Sequence, residues 1–220
     1  MSRLGFENAF VRLDPISPTH VDALLDAARD RSTFGLAPVP RDRVEMEAYV
    51  AAALADEGAK RALAFTIVRR HPRDEVVGSI RLMNLEWWTW PPGPISVTGE
   101  PRIAAAGDPP DVAELGHGWL APSAQRTAVF TATSLLLLGH AFETWRVHRL
   151  VLKTDVRNDR SRAAIERLGG RFEGVLRAHL PAADGRVRDT AMYAIVRDEW
   201  PAVRIRLESA LASPHSSGDS

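Results

Sequence analysis

The chain contains no cysteine, and only Lys60 and Lys153 among its 28 basic residues are lysine. The missing thiol excludes disulfides, thiolate metal sites and a cysteine nucleophile. Basic and acidic side chains balance at 28 each, so no bulk charge draws the chain to nucleic acid or an anionic membrane. Long apolar runs are also missing: the four leucines at 135–138 make one turn of a helix, far short of a membrane span. The first ten residues lack the apolar core of a secretory signal, and the cytoplasm is the expected compartment. Gly-x-Ser-x-Gly, His-Glu-x-x-His and Gly-x-x-x-x-Gly-Lys-Ser/Thr do not occur, and no two histidines lie four apart. A covalent acyl-enzyme, a bound metal and nucleotide hydrolysis are therefore not expected. Gly116 and Gly118 lack the third glycine of a dinucleotide fingerprint, which argues against NAD.

What remains is a chain of 220 residues, 45% hydrophobic and 25% charged, the composition of an ordinary globular protein. Ser17 before Pro18 reads as a helix cap, and Asp42 opens a second helix that ends at Gly58. Residues 61–70 and 76–87 read as two strands joined by the turn at 71–75. Residues 111–120 make another strand, followed by a helix whose Leu135, Leu138, Phe142 and Trp145 share a core-facing stripe. Residues 148–156 alternate as a strand; strand, helix and strand then form one right-handed crossover with the two strands parallel. Asn158 caps a short helix that Gly169 or Gly170 closes, and an antiparallel hairpin and a C-terminal helix follow. The predicted order is β-α-α-β-β-β-α-β-α-β-β-α, one α/β domain over residues 1–212. Two segments stand apart. Residues 86–111 hold six prolines and begin with Trp87, Trp88 and Trp90, a composition suited to packing on the sheet edge, a lid or a subunit contact such as a homodimer. Residues 213–220 form a polar tail expected to be disordered. Residues 141–180 carry nine Arg/Lys against five Asp/Glu, either a solvated basic face or a local field for a polyanionic small molecule.

The stretch at 113–140 runs from strand through a short loop into a helix, a layout that presents free N–H groups and partial positive charge to an anion. No glycine lies between Gly118 and Gly139. Four stretches, at 11–25, 113–138, 148–177 and 184–200, resemble the GCN5-related N-acetyltransferases (GNAT), closest to the branch typified by ribosomal-protein N-terminal acetyltransferases. The resemblance implies the GNAT fold: a central, mostly antiparallel sheet of about seven strands with a splayed parallel pair, flanked by helices. It implies coenzyme A thioester as co-substrate, acetyl-CoA by default with succinyl-CoA as the charged alternative. The acceptor is then a primary amine, on a protein or a small molecule.

The family's loop pattern, Gln/Arg-x-x-Gly-x-Gly/Ala, stands here as Gln125-x-x-Ala128-x-Phe130. Glycine is needed only where φ is positive or a Cβ would collide with the ligand. If residues 126–131 follow right-handed helical geometry and Phe130 points away, the amides of Arg126, Thr127, Ala128, Val129, Phe130 and Thr131 bind the pyrophosphate, with Arg126 adding charge. The resemblance places main-chain donors for the thioester oxygen near a bulge at Gly118, Trp119 and Leu120. It matches Glu114 to an acidic position that serves as base; His117 is the alternative, facing away from Glu114 unless a bulge intervenes. Asn158 matches a residue that bonds the pantetheine amides, and Ser161 one placed to protonate the leaving thiolate. Without the resemblance, Glu114 is equally a salt-bridged residue and Asn158 a helix cap. A non-catalytic acyl-CoA-binding or protein-interaction module on the same scaffold is the second hypothesis.

Overall fold

The computed structural model describes residues 4–89 and 108–212; the greater part of the proline- and tryptophan-rich segment, and the tail, lie outside them. The strands are β1 (Phe6–Glu7), β2 (Val11–Pro15), β3 (Leu63–Arg69), β4 (Glu75–Glu86), β5 (Val112–Leu120), β6 (Arg149–Asp155), β7 (Arg171–Pro181) and β8 (Val187–Val196). The helices are α1 (Val21–Ala27), α2 (Arg43–Gly58), α3 (Ala128–Gly139), α4 (Asp159–Leu168) and α5 (Trp200–Ala212). All eight strands join one sheet in the order β1-β2-β3-β4-β5-β6-β8-β7. Neighbours are antiparallel except β5 and β6, the predicted parallel pair. The strand beyond the predicted seven is β1, whose two residues are too few to reveal an alternation; Phe6 pairs with Leu13.

Local chemistry sets most boundaries. The Ser17 side chain accepts from the Thr19 N–H ahead of a short 3-10 turn at Pro18–His20. Asp42 caps α2 by accepting from the Glu45 N–H at 2.9 Å. Gly169 ends α4 with φ 105°, the left-handed stop that glycine adopts without steric cost. α3 runs on into a π-helical turn at His140–Thr144, where the Trp145 N–H reaches the His140 carbonyl at 3.0 Å.

The sheet is covered on both faces. Leu24 of α1 and Met46, Val50 and Ala53 of α2 pack with Ala64 and Trp119 on one face. On the other, Leu137, Leu138, Ile165 and Leu207 of α3, α4 and α5 pack with Phe65, Leu115 and Leu152. Alternation sorts the residues: Leu150 and Leu152 of β6 are buried beneath the second helix layer, while Lys153 lies on the opposite face. From the predicted stripe, Leu138 and Phe142 are buried, and Leu135 and Trp145 are partly buried against the core. Burial of that kind is worth about 1.5–3 kcal/mol per large apolar side chain and fixes α3 across the sheet.

Candidate active site

β5 and β6 pair only where Val112–Glu114 meets Arg149–Val151. Beyond that the two strands diverge, and a cavity of about 480 Å³ opens between them. Its walls come from both faces of the sheet: Leu115, Leu152, Phe130 and Ile165 on the side of α3 and α4, Glu114, Lys153, Tyr49 and Met83 on the side of α1 and α2. A sheet torn in this way exposes backbone groups that neighbouring strands would otherwise satisfy. It also opens the cavity to both faces of the sheet.

The predicted bulge lies on the wall formed by β5. Arg81 of β4 opposes Gly116 and Ser79 opposes Trp119, so β5 uses one residue more than its partner. The strain falls on neither glycine but on His117, at φ 48°. Gly116 matters for space: a Cβ there would sit 2.8 Å from Glu114 Oε1 and 3.2 Å from the Met83 sulfur. The Ala121 N–H donates to the Val77 carbonyl at 2.7 Å, towards β4. Alternation therefore turns the N–H and C=O of Leu120 towards the gap. Trp119 packs edge-on against Phe34 and is buried on the cavity wall.

Glu114 is 5% exposed. Its Oε2 accepts from Lys153 Nζ at 2.8 Å and from Asn84 Nδ2 at 2.8 Å. Neither partner was identified from sequence. Lys153 carried a signal, being one of two lysines in an arginine-rich chain and set in a strand. Asn84 carried none, because it reaches Glu114 from a left-handed residue (φ 48°) at an irregularity in the pairing of β4 with β5. The bulge brings His117 to the same cavity as Glu114. Desolvation first, then the charge of Arg81, holds the His117 pKa below the ordinary imidazole value.

The loop expected to bind pyrophosphate departs from its predicted geometry. Arg126 is left-handed at φ 61°, and Thr127 is an extended cap whose Oγ1 accepts from the Val129 N–H at 3.3 Å. Helical geometry begins at Ala128, not at Arg126. The positive φ thus falls outside the two positions where the family has glycine, and the backbone requires none at Ala128 or Phe130. Phe130 does not turn away: it lines the cavity and packs against the main core. Arg126 is exposed beside the free amides at the start of α3, with Thr131 in its first turn. The Gln125 side chain is engaged elsewhere. Its Nε2 donates to the Leu120 carbonyl at 2.8 Å and to Thr33 Oγ1 at 2.7 Å, and its Oε1 accepts from Arg160. Gln125 thus closes the end of the gap instead of presenting an amide to a ligand.

Asn158 and Ser161 both line the cavity. The Asn158 Oδ1 accepts from the Ser161 N–H at 3.1 Å, capping α4, and its amide NH2 has no partner among the described residues. Among the described residues no group of three or more His, Cys, Asp or Glu is placed to hold a metal, and no helix is long and apolar enough to cross a membrane.

Comparison with known proteins agrees with this geometry. YdaF of Bacillus subtilis (strain 168), provisionally described as a ribosomal N-acetyltransferase, is 33% identical over 88 residues; the match spans 40% of this chain and 47% of that protein. A crystal structure of a GCN5-related N-acetyltransferase from Brucella melitensis is 27% identical and superposes with a TM-score of 0.79, covering 100% of this chain and 91% of that one. Mycobacterium smegmatis RimJ in complex with CoA-disulfide, at 23% identity, shares the fold with a TM-score of 0.70, covering 91% of this chain and 88% of that one. The acetyltransferase (GNAT) domain model matches residues 11–171, and with the torn sheet and its cavity this establishes that the chain belongs to the GNAT family of N-acetyltransferases.

Proposed function

We propose that this chain moves a short acyl group, acetyl by default, from coenzyme A to the α-amine of a protein or peptide. The cavity through the sheet carries this reading, because it joins an anion-compatible helix start on one face to a carboxylate and an imidazole on the other. The thioester chain would lie in the β5–β6 gap, with Asn158 bonding its amides and the Leu120 N–H facing its carbonyl oxygen. Amides 128–131 and Arg126 would hold the pyrophosphate.

The chemistry is direct attack in a ternary complex. The amine nitrogen bonds to the thioester carbon, the C–S bond breaks, and the thiolate takes a proton that Ser161 is placed to deliver. The proton leaving the amine goes to Glu114, whose Oε1 remains after Oε2 has accepted from Lys153 and Asn84, or to His117, which is neutral near pH 7. An α-amine, with a pKa near ~8, needs less from such a base than lysine at ~10.4. The relatives described as ribosomal-protein acetyltransferases support the same acceptor class.

A second reading, a non-catalytic acyl-CoA-binding module, is favoured by Phe130 in the cavity wall and by the engaged Gln125. Thiol release from acetyl-CoA decides between them, using peptides with a free N-terminus and the same peptides blocked there but carrying one lysine. Release with the free α-amine, lowered roughly 10²–10⁴-fold in Glu114→Gln, supports transfer. Tight coenzyme binding without release from any pair leaves the module.

A further inference from the structure

Among the described residues, the acceptor face of the cavity holds a guanidinium whose terminal nitrogens make no hydrogen bond. Four titratable side chains among the described residues, besides Tyr49, line the cavity: Glu114, His117, Lys153 and Arg188. Glu114 and Lys153 pair with each other at 2.8 Å, and His117 is held neutral near pH 7. Arg188 has no hydrogen-bonded carboxylate among the described residues. It sits on β8 opposite Leu180 of β7, half-buried, and its Nε donates to Thr190 Oγ1 at 3.0 Å. Its two terminal nitrogens have no partner among the described residues. The nearby acid, Asp155, is hydrogen-bonded by Arg157, which donates to Oδ1 from Nε at 2.9 Å and to Oδ2 at 2.6 Å; the charge of Arg188 acts on it through space only.

The position of Arg188 separates it from the coenzyme's phosphates. Ala191, Tyr193 and Ile195 of β8 pack into the core beneath α3, α4 and α5, so alternation puts Arg188 on the other face, with Lys153 and Glu114. The start of α3 lies across the sheet. A planar guanidinium with a free fork in a partly enclosed wall matches a carboxylate through two parallel N–H···O bonds.

Resting on the acyl-transfer reading above, we propose that Arg188 is a carboxylate-binding residue that selects a substrate bearing an acidic group next to the reacting atoms. The carboxylate has two sources, a dicarboxylic acyl group on the thioester or an acidic residue beside the acceptor amine. Crossing acetyl-CoA and succinyl-CoA with two peptides that differ only in Glu or Gln at the second residue separates them. The expected result is a kcat/KM about tenfold or more higher for pairs that carry the favoured carboxylate, the size of a charge-assisted hydrogen bond. Arg188→Gln should bring that ratio to near one, and Arg188→Lys should restore part of it, with circular dichroism confirming that both fold. A ratio near one in the wild type, or one that survives in Arg188→Gln, overturns the proposal while leaving acyl transfer intact. If no pair turns over, the acyl-transfer reading fails, and calorimetry then decides the carboxylate site: each thioester is titrated into the protein and each peptide into the CoA-loaded protein. Tighter binding of the carboxylate-bearing member, lost in Arg188→Gln, supports the site, and equal affinities overturn it.

Discussion

At the scale of single residues, the acidic charge in the cavity is the buried Glu114, paired with Lys153. Glu114 is buried and the Lys153 side chain is 21% exposed, so removing the lysine leaves a desolvated carboxylate with only the Asn84 hydrogen bond. Lys153→Met should therefore destabilise the fold by about 3 kcal/mol, and pairing it with Glu114→Gln should recover much of that loss. Urea unfolding of the two single variants and the double variant measures this; additive losses would mean that the pair is not coupled. His117 makes a different prediction. Its pKa is depressed by desolvation, so the folded chain binds that proton more weakly than the unfolded chain, whose imidazole titrates near ~6.5. The stability is fully present above that value and is lost as pH falls through the lower, folded one. His140 is shifted in the same direction by burial beside Phe6 and Trp145. His117→Asn, which tolerates a positive φ, should flatten the fall in urea midpoint between pH 7 and pH 5 without abolishing it. An unchanged slope would show that His117 does not titrate differently on folding.

At the scale of elements, the site depends on two backbone irregularities that other residues hold in place. The bulge in β5 seats the Glu114 carboxylate over Gly116, which has no Cβ to occupy that space. Gly116→Ala should shift the carboxylate and lower kcat roughly tenfold or more with a small change in KM for the thioester, since a displacement of about 1 Å near a reacting group has effects of that order. Steady-state kinetics reads the split, and equal changes in both constants would contradict the assignment. The turn into α3 is held by Gln125, which bridges the Leu120 carbonyl, Thr33 and Arg160. Gln125→Ala leaves a buried carbonyl facing the gap and should cost about 1–3 kcal/mol, measured by thermal or urea unfolding. The succession of strands and helices, the caps at Ser17, Asp42 and Asn158 and a glycine stop at 169 or 170, which the structure assigns to Gly169, were legible because each rests on chemistry within a few residues. The start of α3 was displaced because the left-handed residue fell on Arg126, where no glycine announced it.

At the scale of the whole molecule, the sheet is continuous from β1 to β7 except for the tear between β5 and β6. Filling that tear should stabilise the protein. A ligand that binds only the folded chain adds about 2.7 kcal/mol at a hundred times its Kd, which for a chain of this length is roughly 5–10 °C in Tm. A coenzyme A thioester should produce that shift and adenosine alone should not; indifference to both would count against occupancy of the gap. Helices cover both faces of the torn sheet, and the cavity is lined from both of them. Arg188 lies on the sheet face opposite the start of α3.

The order of strands and helices, the parallel crossover and the likeness to one family followed from the sequence alone, because periodicity, caps and short motifs are written in neighbouring residues. So did the presence of Glu114, Asn158 and Ser161 in matching motifs, though not the roles they take. Only the tertiary structure decided that Glu114 is ion-paired with Lys153 and hydrogen-bonded by Asn84, that Gln125 closes the gap, that Phe130 faces the cavity and that Arg188 lines the same cavity as Glu114. Each of these depends on which residues from distant strands face one another across the sheet. That is settled by register, bulge and twist, and a single strand's sequence carries no record of its partner's.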